Sequence, residues 1–236
     1  MDDDKSAMSD QEYEWILKCV NEALKGTKQF SRGFSSVDAL VKEFANGVLP
    51  CIHLGALCPK DIDVRAVNTR VEDSMDREEN FTLYLGAARG VGASFDRSVS
   101  RTSLCKATKE MAFSCLWQNI KCGVNIGWTR EASIRKDLAS ESGASEGDIR
   151  DEWPANKIMF TWINMVLRKR VRSFSDLPEI LPDLTKHCLG KSCSSAAECE
   201  SVASRSGVHT IGDALASGHG RVSYAYVGHI FQKHIG

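Results

Sequence analysis

Two stretches of this chain carry apolar residues at the spacing of an α-helix and follow the same plan. In residues 110–127 the apolar positions recur every three or four residues, which predicts a helix with one face toward a core. The polar residues between them are expected together on a free face. Residues 227–236 repeat this plan near the end of the chain. The apolar positions are Phe113, Leu116, Trp117, Ile120 and Val124 in the first stretch and Ile230, Phe231 and Ile235 in the second; the polar positions of the first are Ser114, Gln118, Lys121 and Asn125.

An upstream element that also occurs twice indicates an internal repeat. A Trp-Ile pair followed by an apolar residue and a basic end is found in EWILKCVNEALK, residues 14–25, and in TWINMVLRKR, residues 161–170. Duplicated domains keep the order of their elements. When Trp15 is aligned with Trp162, the second copy is shorter than the first. The pattern therefore predicts two domains in tandem, the second shortened.

Helical periodicity runs through most of the remaining chain, and no stretch favours a strand. Ser36 is a candidate N-cap, and the Asn46-Gly47 pair is expected to break or redirect the helix that Ser36 begins. Pro178 and Pro182 fall within a later predicted helix, which they are expected to kink. The chain is predicted to be all-α. Further helices are predicted at residues 11–25, 77–92, 176–189, 195–206 and 211–217.

Residues 129–153 are rich in Ser, Gly and charge and contain few apolar side chains. Such a composition is typical of a linker. The predicted organisation is a first domain at 11–127, a linker at 128–152 and a second domain at 153–236.

Composition and charge exclude several classes of protein. The chain has 30 basic and 31 acidic residues, so it lacks the excess of cations that a broadly nucleic-acid-binding protein needs. No apolar run is long enough to span a membrane, and the acidic N-terminus is unlike a signal peptide. Nine cysteines without a CxxC pair favour free thiols in a reducing compartment. The expected location is the cytoplasm.

No arrangement of residues predicts catalysis, a cofactor or a metal. GAARGVGASF follows a predicted helix and not a strand, so it is expected to be a helix end and not a dinucleotide loop. The group formed by His187, Cys188, Cys193 and Cys199 lacks the paired spacing of zinc ligands. We therefore expect a binding protein and not an enzyme.

Four segments of the first half, in their order along the chain, resemble the calponin-homology domain. They are a Trp-containing first helix (EWILKCVNEAL), an Asn-Gly break leading to a proline (FANGVLPCIHLGALCP), an Asn-containing helix (ENFTLYLGAARGVGA) and the closing LWQNIKCG. The second half resembles the second domain of a tandem pair, so the resemblance covers residues 11–236. The CPKDIDVRAVN segment, the closing LWQNIKCG and the long linker are most similar to the actin-binding region of fimbrin (plastin), with the α-actinin and spectrin group next.

This resemblance implies a module that binds filamentous actin as part of a crosslinking or bundling protein of the cytoskeleton. We expect a monomer, with actin contacts in residues 13–25, 106–125 and 156–170. Because the filament is acidic, exposed cations on these segments are expected to contribute. The candidate contact residues are Lys18, Lys25, Lys106, Gln118, Lys121, Lys157, Arg168, Lys169 and Arg170.

The RKRVR run at residues 168–172 is the most concentrated local charge. Cations at a helix C-terminus are favoured by the helix dipole, which alone could account for them. Contact with actin or with phosphoinositides is the alternative. For the whole chain, the rival hypothesis is a cytoskeletal scaffold that binds microtubules or a signalling partner without affinity for actin.

Overall fold

The computed structural model describes residues 7–206 and 220–235, and within these ranges the chain forms α-helices and no strand. The described residues divide into two units, Ala7–Gly123 and the part that begins at Val124. The predicted helix at 211–217 lies outside the described residues. The helices are α1 (Asp10–Leu24), α2 (Val37–Phe44), α3 (Val48–Leu57), α4 (Ser74–Gly90), α5 (Arg101–Leu104), α6 (Lys109–Arg130), α7 (Ala132–Ser142), α8 (Glu146–Glu152), α9 (Ala155–Leu167), α10 (Leu177–Leu189), α11 (Ala196–Arg205) and α12 (Gly220–Ile235).

In the first unit, α1 begins at a reciprocal cap. The Ser9 side chain accepts from the Glu12 backbone N–H, and the Glu12 carboxylate accepts from the Ser9 backbone N–H at 2.9 Å. This arrangement satisfies two donors that the first turn of a helix otherwise leaves unpaired. The helix buries most of its length against α2 and α3 and against aromatic rings of α6.

The predicted break between α2 and α3 lies at Gly47, whose φ is 76°. Ser36 caps α2 as expected, accepting from the Ala39 N–H at 3.2 Å. The Asn80 amide of α4 donates to the carbonyl of Asn46 and to that of Asn68, both at 3.1 Å, and accepts from the Asn68 N–H at 2.8 Å. One buried amide therefore joins the turn before α3 to the loop before α4.

A second buried polar group holds α3, α4 and α6 together. The Tyr84 hydroxyl donates to Asn119 Oδ1 at 3.0 Å and to the Cys115 carbonyl at 3.1 Å. Asn119 Nδ2 donates to the Pro50 carbonyl at 3.1 Å and lies 3.3 Å from His53 Nδ1. Burial lowers the pKa of His53 to about 3, so the imidazole is neutral at physiological pH.

The residues of the predicted linker are largely helical. They form the end of α6 and the helices α7 and α8, and Ile134, Leu138 and Ile149 are buried. Trp128 is fully buried and stacks on Phe231 with ring centroids 3.6 Å apart. Although apolar residues are few in this segment, those present are spaced to face the core of the second unit. The boundaries at 127 and 153 stay a prediction, but the segment is not a solvated tether.

The second unit is built mainly on contacts of α10 with α9, α11 and α12. Pro178 lies in the first turn of α10, where the N–H that proline lacks would have no helical partner. Pro182 lies inside the helix, yet α10 continues to Leu189. The Tyr226 hydroxyl of α12 donates to the Cys199 carbonyl at 3.0 Å and lies 2.9 Å from Thr185 Oγ1. This hydroxyl links three helices.

A recurring side-chain bridge corrects the register of the internal repeat. In the first unit, Asn21 accepts from the Phe34 N–H at 2.7 Å and donates to the Phe34 carbonyl at 2.9 Å. In the second unit, Asn164 makes the same two bonds with Val171, at 2.6 and 3.0 Å. Asn21 therefore corresponds to Asn164. The alignment of Trp15 with Trp162 is wrong by about one helical turn.

Candidate functional site

The solvent side of α1 is a narrow stripe with charges of both signs. Lys18 and Lys25 are exposed, as predicted. Lys25 forms an ion pair with Glu22, whereas Lys18 forms none with any residue that the structure describes. Because exposed i,i+3 pairs are screened by water, the pair with Glu22 leaves Lys25 able to exchange partners.

An aromatic and ionic contact brings the start of α6 against the start of α1. The Lys109 ammonium lies 4.1 Å from the centroid of the Tyr13 ring and 3.7 Å from an Asp10 carboxylate oxygen. Tyr13 in turn meets the Phe113 ring edge-on, with centroids 4.9 Å apart. Lys106 is exposed just before α6. Two of the three predicted contact segments are thus neighbours in the first unit.

The polar stripe of α6 is not free, and this part of the prediction is wrong. Gln118 is only 6% exposed, and its side-chain oxygen accepts from the Ser94 N–H at 3.2 Å. Lys121 is half-buried, and Asn125 accepts a hydrogen bond from the Tyr224 hydroxyl. Only Ser114 of this set is exposed. The amphipathic pattern failed here because the loop around Ser94 covers Gln118 and Tyr224 of helix α12 reaches Asn125.

At the start of α9, Lys157 is exposed and lies over the Trp153 ring, 3.8 Å from its centroid. A cation held over an indole keeps its charge in water while its stem covers apolar surface. Trp153 is half-buried. The pair forms a defined cationic and aromatic corner that the charge pattern alone did not predict.

The RKRVR run follows α9 and does not belong to its last turn. Arg168 takes the left-handed conformation, with φ 52°, and ends the helix. It pairs with Glu141 at 3.1 Å, and Lys169 pairs with Asp183. Arg170 is exposed and makes no ion pair within the described part of the chain. The helix dipole therefore acts mainly on Arg168, the cap of α9, and two cations of the run also have carboxylate partners.

A groove opens beside these cations, and its charge is mixed. Its walls carry both cations and carboxylates. The backbone N–H of Arg172 donates to Asp176 at 2.8 Å and lowers the pKa of that carboxyl, so Asp176 stays ionised beside the arginine. The groove is lined by Lys169, Arg170, Val171, Arg172, Asp176, Glu179 and Ile180.

Three residues near the candidate contact positions were not singled out from the sequence: Tyr13, Lys109 and Trp153. Each is an aromatic residue or a cation in a cation–π pair. The i,i+4 spacing from Trp153 to Lys157 was a usable signal. The pairing of Tyr13 with Lys109 joins residues far apart in the chain, so no local pattern could reveal it.

No helix within the described ranges is long and apolar enough to cross a membrane. No family model matches the chain. It is 31% identical over 136 residues to fimbrin-3 of Arabidopsis thaliana, a match that covers 55% of this chain and 18% of the relative. It is 24% identical over 162 residues to human plastin-1, covering 66% of this chain and 25% of the relative.

Among solved structures, the fold matches the crystal structure of the actin-crosslinking core of Schizosaccharomyces pombe fimbrin. The TM-score is 0.74 and the sequence identity 18%, and the match covers 97% of this chain and 50% of that core. The chain is similar to fimbrin in sequence and in fold. The predicted resemblance and the all-α fold of two calponin-homology domains in tandem are both confirmed. The matched region spans only 18–25% of these fimbrin and plastin relatives.

Proposed function

We propose that this chain binds filamentous actin through its two calponin-homology domains, as a module of a crosslinking or bundling protein of fimbrin type. The observation that carries the proposal is the fold match along 97% of the chain to a structure described as an actin-crosslinking core. Sequence similarity to fimbrin-3 and plastin-1 supports it independently. The module acts by binding and without catalysis, in the cytoplasm with the actin cytoskeleton.

The proposed contact surface of the first unit contains Lys18 and Lys106. Both side chains are exposed, and neither forms an ion pair with a described residue. Charges of this kind steer an acidic partner and gain new ion pairs on binding, at no cost of breaking old ones. Gln118 is removed from this surface because it is buried, and Lys121 contributes less because it is half-buried.

In the second unit, the proposed contacts are Lys157 and Arg170. Lys157 presents its charge beside the Trp153 ring, and tryptophan is among the residues enriched at protein interfaces. Arg168 and Lys169 are already paired with carboxylates, so we place them at the edge of the contact. The alternative is that Arg170 and Arg172 of the RKRVR run bind phosphoinositides.

High-speed co-sedimentation with filamentous actin across a salt series tests the proposal. Pelleting that weakens with salt is expected. Lys18→Glu and Lys157→Glu should each weaken binding by roughly tenfold, since reversing one interfacial charge costs on the order of 1–2 kcal/mol. The matched controls are Lys42→Glu on α2 and Lys136→Glu on α7, which make the same charge change at exposed helical positions outside the proposed surface.

Several outcomes distinguish this proposal from its rivals. Failure to pellet with actin at low salt would refute actin binding, and pelleting with microtubules instead would favour the scaffold hypothesis. Equal losses in the controls would show that net charge matters and the surface does not. Low-speed spins should detect little bundling, because crosslinking needs two filament-binding sites or a dimer. The phosphoinositide alternative is tested separately, by measuring whether Arg170→Glu weakens binding to vesicles that contain phosphoinositides.

A further inference from the structure

Two exposed histidines lie side by side where α10 packs against α12. His187 belongs to the last turn of α10 and His234 to the final part of α12, and both side chains are exposed. Their ring centroids are 5.4 Å apart. The buried Trp162 of α9 flanks both rings, with its centroid 5.9 Å from His187 and 6.1 Å from His234. The fold therefore brings together two imidazoles that are far apart in the sequence.

A backbone carbonyl fixes the position of the proton on His234. His234 Nδ1 lies 3.4 Å from the Cys188 carbonyl oxygen, which is one of the last four carbonyls of α10 and has no acceptor role within that helix. A carbonyl oxygen can only accept, so Nδ1 carries the proton of the neutral ring and Nε2 keeps its lone pair. Histidines that bind metals are commonly held in this way, with the second ring nitrogen donating to a carbonyl.

The second ring is also available as a ligand. His187 makes no hydrogen bond with any residue that the structure describes. Its pKa is lowered by partial burial and by the neighbouring His234, so the ring is largely neutral at physiological pH and offers a lone pair. The negative end of the α10 dipole lies at the same turn and favours a cation there. Lys186 of this turn is exposed, so water screens its opposing charge.

We propose that His187 and His234 form a binding site for a divalent transition-metal ion of the zinc type, which the two imidazoles chelate together. Zinc binds imidazole nitrogen at about 2.0–2.1 Å with tetrahedral angles, so two rings that share one ion have centroids roughly 5 Å apart. The observed separation of 5.4 Å fits this spacing. The inference is independent of actin binding.

The nitrogen ligands determine which ions the site accepts. Imidazole suits Zn²⁺, Ni²⁺ and Cu²⁺, whereas Mg²⁺ and Ca²⁺ need oxygen ligands. Within the described ranges, no group of three or more His, Cys, Asp or Glu side chains is placed to bind one metal ion. Water therefore completes the tetrahedral shell of the ion, and we expect weaker binding than at a zinc site with four protein ligands.

The thiol that follows His187 in the chain does not compete for the ion. Cys188 is buried, and burial raises the pKa of its thiol to about 12. The thiolate is the form that binds metals, and it is scarce at neutral pH when the pKa is this high. The carbonyl of Cys188 thus orients His234, while its sulfur stays outside the site.

A bound ion would add a second link between α10 and α12. The hydroxyls of Thr185 and Tyr226 already join these helices at 2.9 Å. The ion would join them again through one ligand from each helix. An unfolded chain does not hold the two rings together, so the ion binds the folded chain preferentially and stabilises it.

Calorimetric titration of Zn²⁺ into the reduced chain tests the site. One ion per chain should bind, and the affinity should fall at least about tenfold in His187→Gln and in His234→Gln, because a single imidazole loses the gain from chelation. The double variant should bind no more weakly than either single variant. His229→Gln, also on α12, is the control and should bind like the unmodified chain. Circular dichroism should show the same helix content in all four variants.

Two measurements identify the ligands by other means. Co²⁺ bound to imidazole and water should give only weak visible bands, whereas a thiolate ligand would add a strong charge-transfer band in the near ultraviolet. Zn²⁺ should raise the melting midpoint of the unmodified chain and leave that of the double variant unchanged. Excess Mg²⁺ should not displace the zinc.

Any of four results would overturn the proposal. The unmodified chain could bind no Zn²⁺. The single variants could bind it as tightly as the unmodified chain does. The cobalt spectrum could show sulfur ligation, which would assign the ion to cysteines. The losses in the single variants could add in the double variant, which would show that His187 and His234 act separately. The titration and the cobalt spectrum of the unmodified chain do not depend on the folding of any variant.

Discussion

Asn21 in α1 and Asn164 in α9 form the same pair of hydrogen bonds, each with the N–H and the carbonyl of one loop residue. The bridge spans thirteen residues in the first unit and seven in the second. A side-chain amide can replace a strand partner in this way because it offers one donor and one acceptor side by side. The bridge fixes where the loop after each first helix turns back to the unit.

Removal of this bridge should destabilise each unit. Asn21→Ala and Asn164→Ala leave a loop N–H and carbonyl without partners, which typically costs about 1–3 kcal/mol. Urea unfolding should show the loss as a lower midpoint for each variant. Gln29→Ala, at an exposed position of the same loop as Phe34, is the control and should change the midpoint little. A silent Asn164→Ala would contradict the equivalence of the two bridges.

Gly47 should not tolerate a side chain. Its φ is 76°, and a Cβ atom there would lie 2.7 Å from the Cβ of Asn80, which anchors the turn. Gly47→Ala is therefore expected to lower the free energy of unfolding by at least about 1–2 kcal/mol.

Gly86 offers the matched control, because a Cβ there meets nothing within 4 Å and the residue lies inside α4. Gly86→Ala should be neutral or stabilising by up to about 1 kcal/mol. Thermal melts should show a lower midpoint for Gly47→Ala and an equal or higher midpoint for Gly86→Ala. Similar shifts would mean that the turn relaxes around the new methyl group.

Trp128 should be a major stabilising residue of the second unit. It stacks on Phe231 and lies 5.3 Å from Trp162 between ring centroids, so Trp128→Ala should cost about 3–5 kcal/mol. Its indole N–H finds no acceptor among the residues that the structure describes. Trp128→Phe keeps the stacking and removes that donor, so it should cost much less. Urea unfolding should give a larger loss of stability for Trp128→Ala than for Trp128→Phe. Equal losses in the two variants would contradict the prediction.

His53 should make stability fall in mild acid. Its folded-state pKa, lowered to about 3 by burial, lies below the value of about 6.5 in an unfolded chain. The contribution of His53 is therefore complete above about pH 6.5 and decreases as the pH falls toward 3, because only the unfolded chain takes up the proton. By pH 5 the loss is about 2 kcal/mol.

A histidine variant separates this effect from other titrations. His53→Gln should flatten the decline of the urea midpoint between pH 7 and pH 5. His187→Gln is the control: the pKa of His187 is also lowered, by partial burial and by His234, but this ring is exposed and should contribute less. An unchanged slope in His53→Gln would show that His53 is accessible to protons in the folded state.

Local chemistry predicted the helices well, since Ser36, Gly47 and the periodic apolar positions lie where the patterns placed them. The side-chain exposure of α6 was predicted poorly. Gln118 was expected on a free face, but the loop at Ser94 covers it, and that contact depends on residues distant in the chain. The repeat was detected from Trp15 and Trp162, although the register is set by Asn21 and Asn164, which look like ordinary polar positions.

For the candidate cations, exposure could be predicted from the sequence, but ion pairing could not, because the partners are distant in the chain. Exposure of a lysine such as Lys18 follows from its place between apolar positions of one helix. The ion pairs of Arg168 and Lys169 depend on carboxylates that reach them from α7 and α10. Sequence reasoning could count the charges of the run, but it could not tell which charges were already neutralised.

The helices between Trp128 and Glu152 place a limit on how this chain can vary. A tether can gain or lose residues over evolutionary time with little effect, because only its length matters. Here Ile134, Leu138 and Ile149 are buried at fixed positions along α7 and α8. One inserted residue within either helix would rotate the side chains that follow by about 100°. Natural variation in length should therefore be confined to the short turns around residues 131 and 143–145.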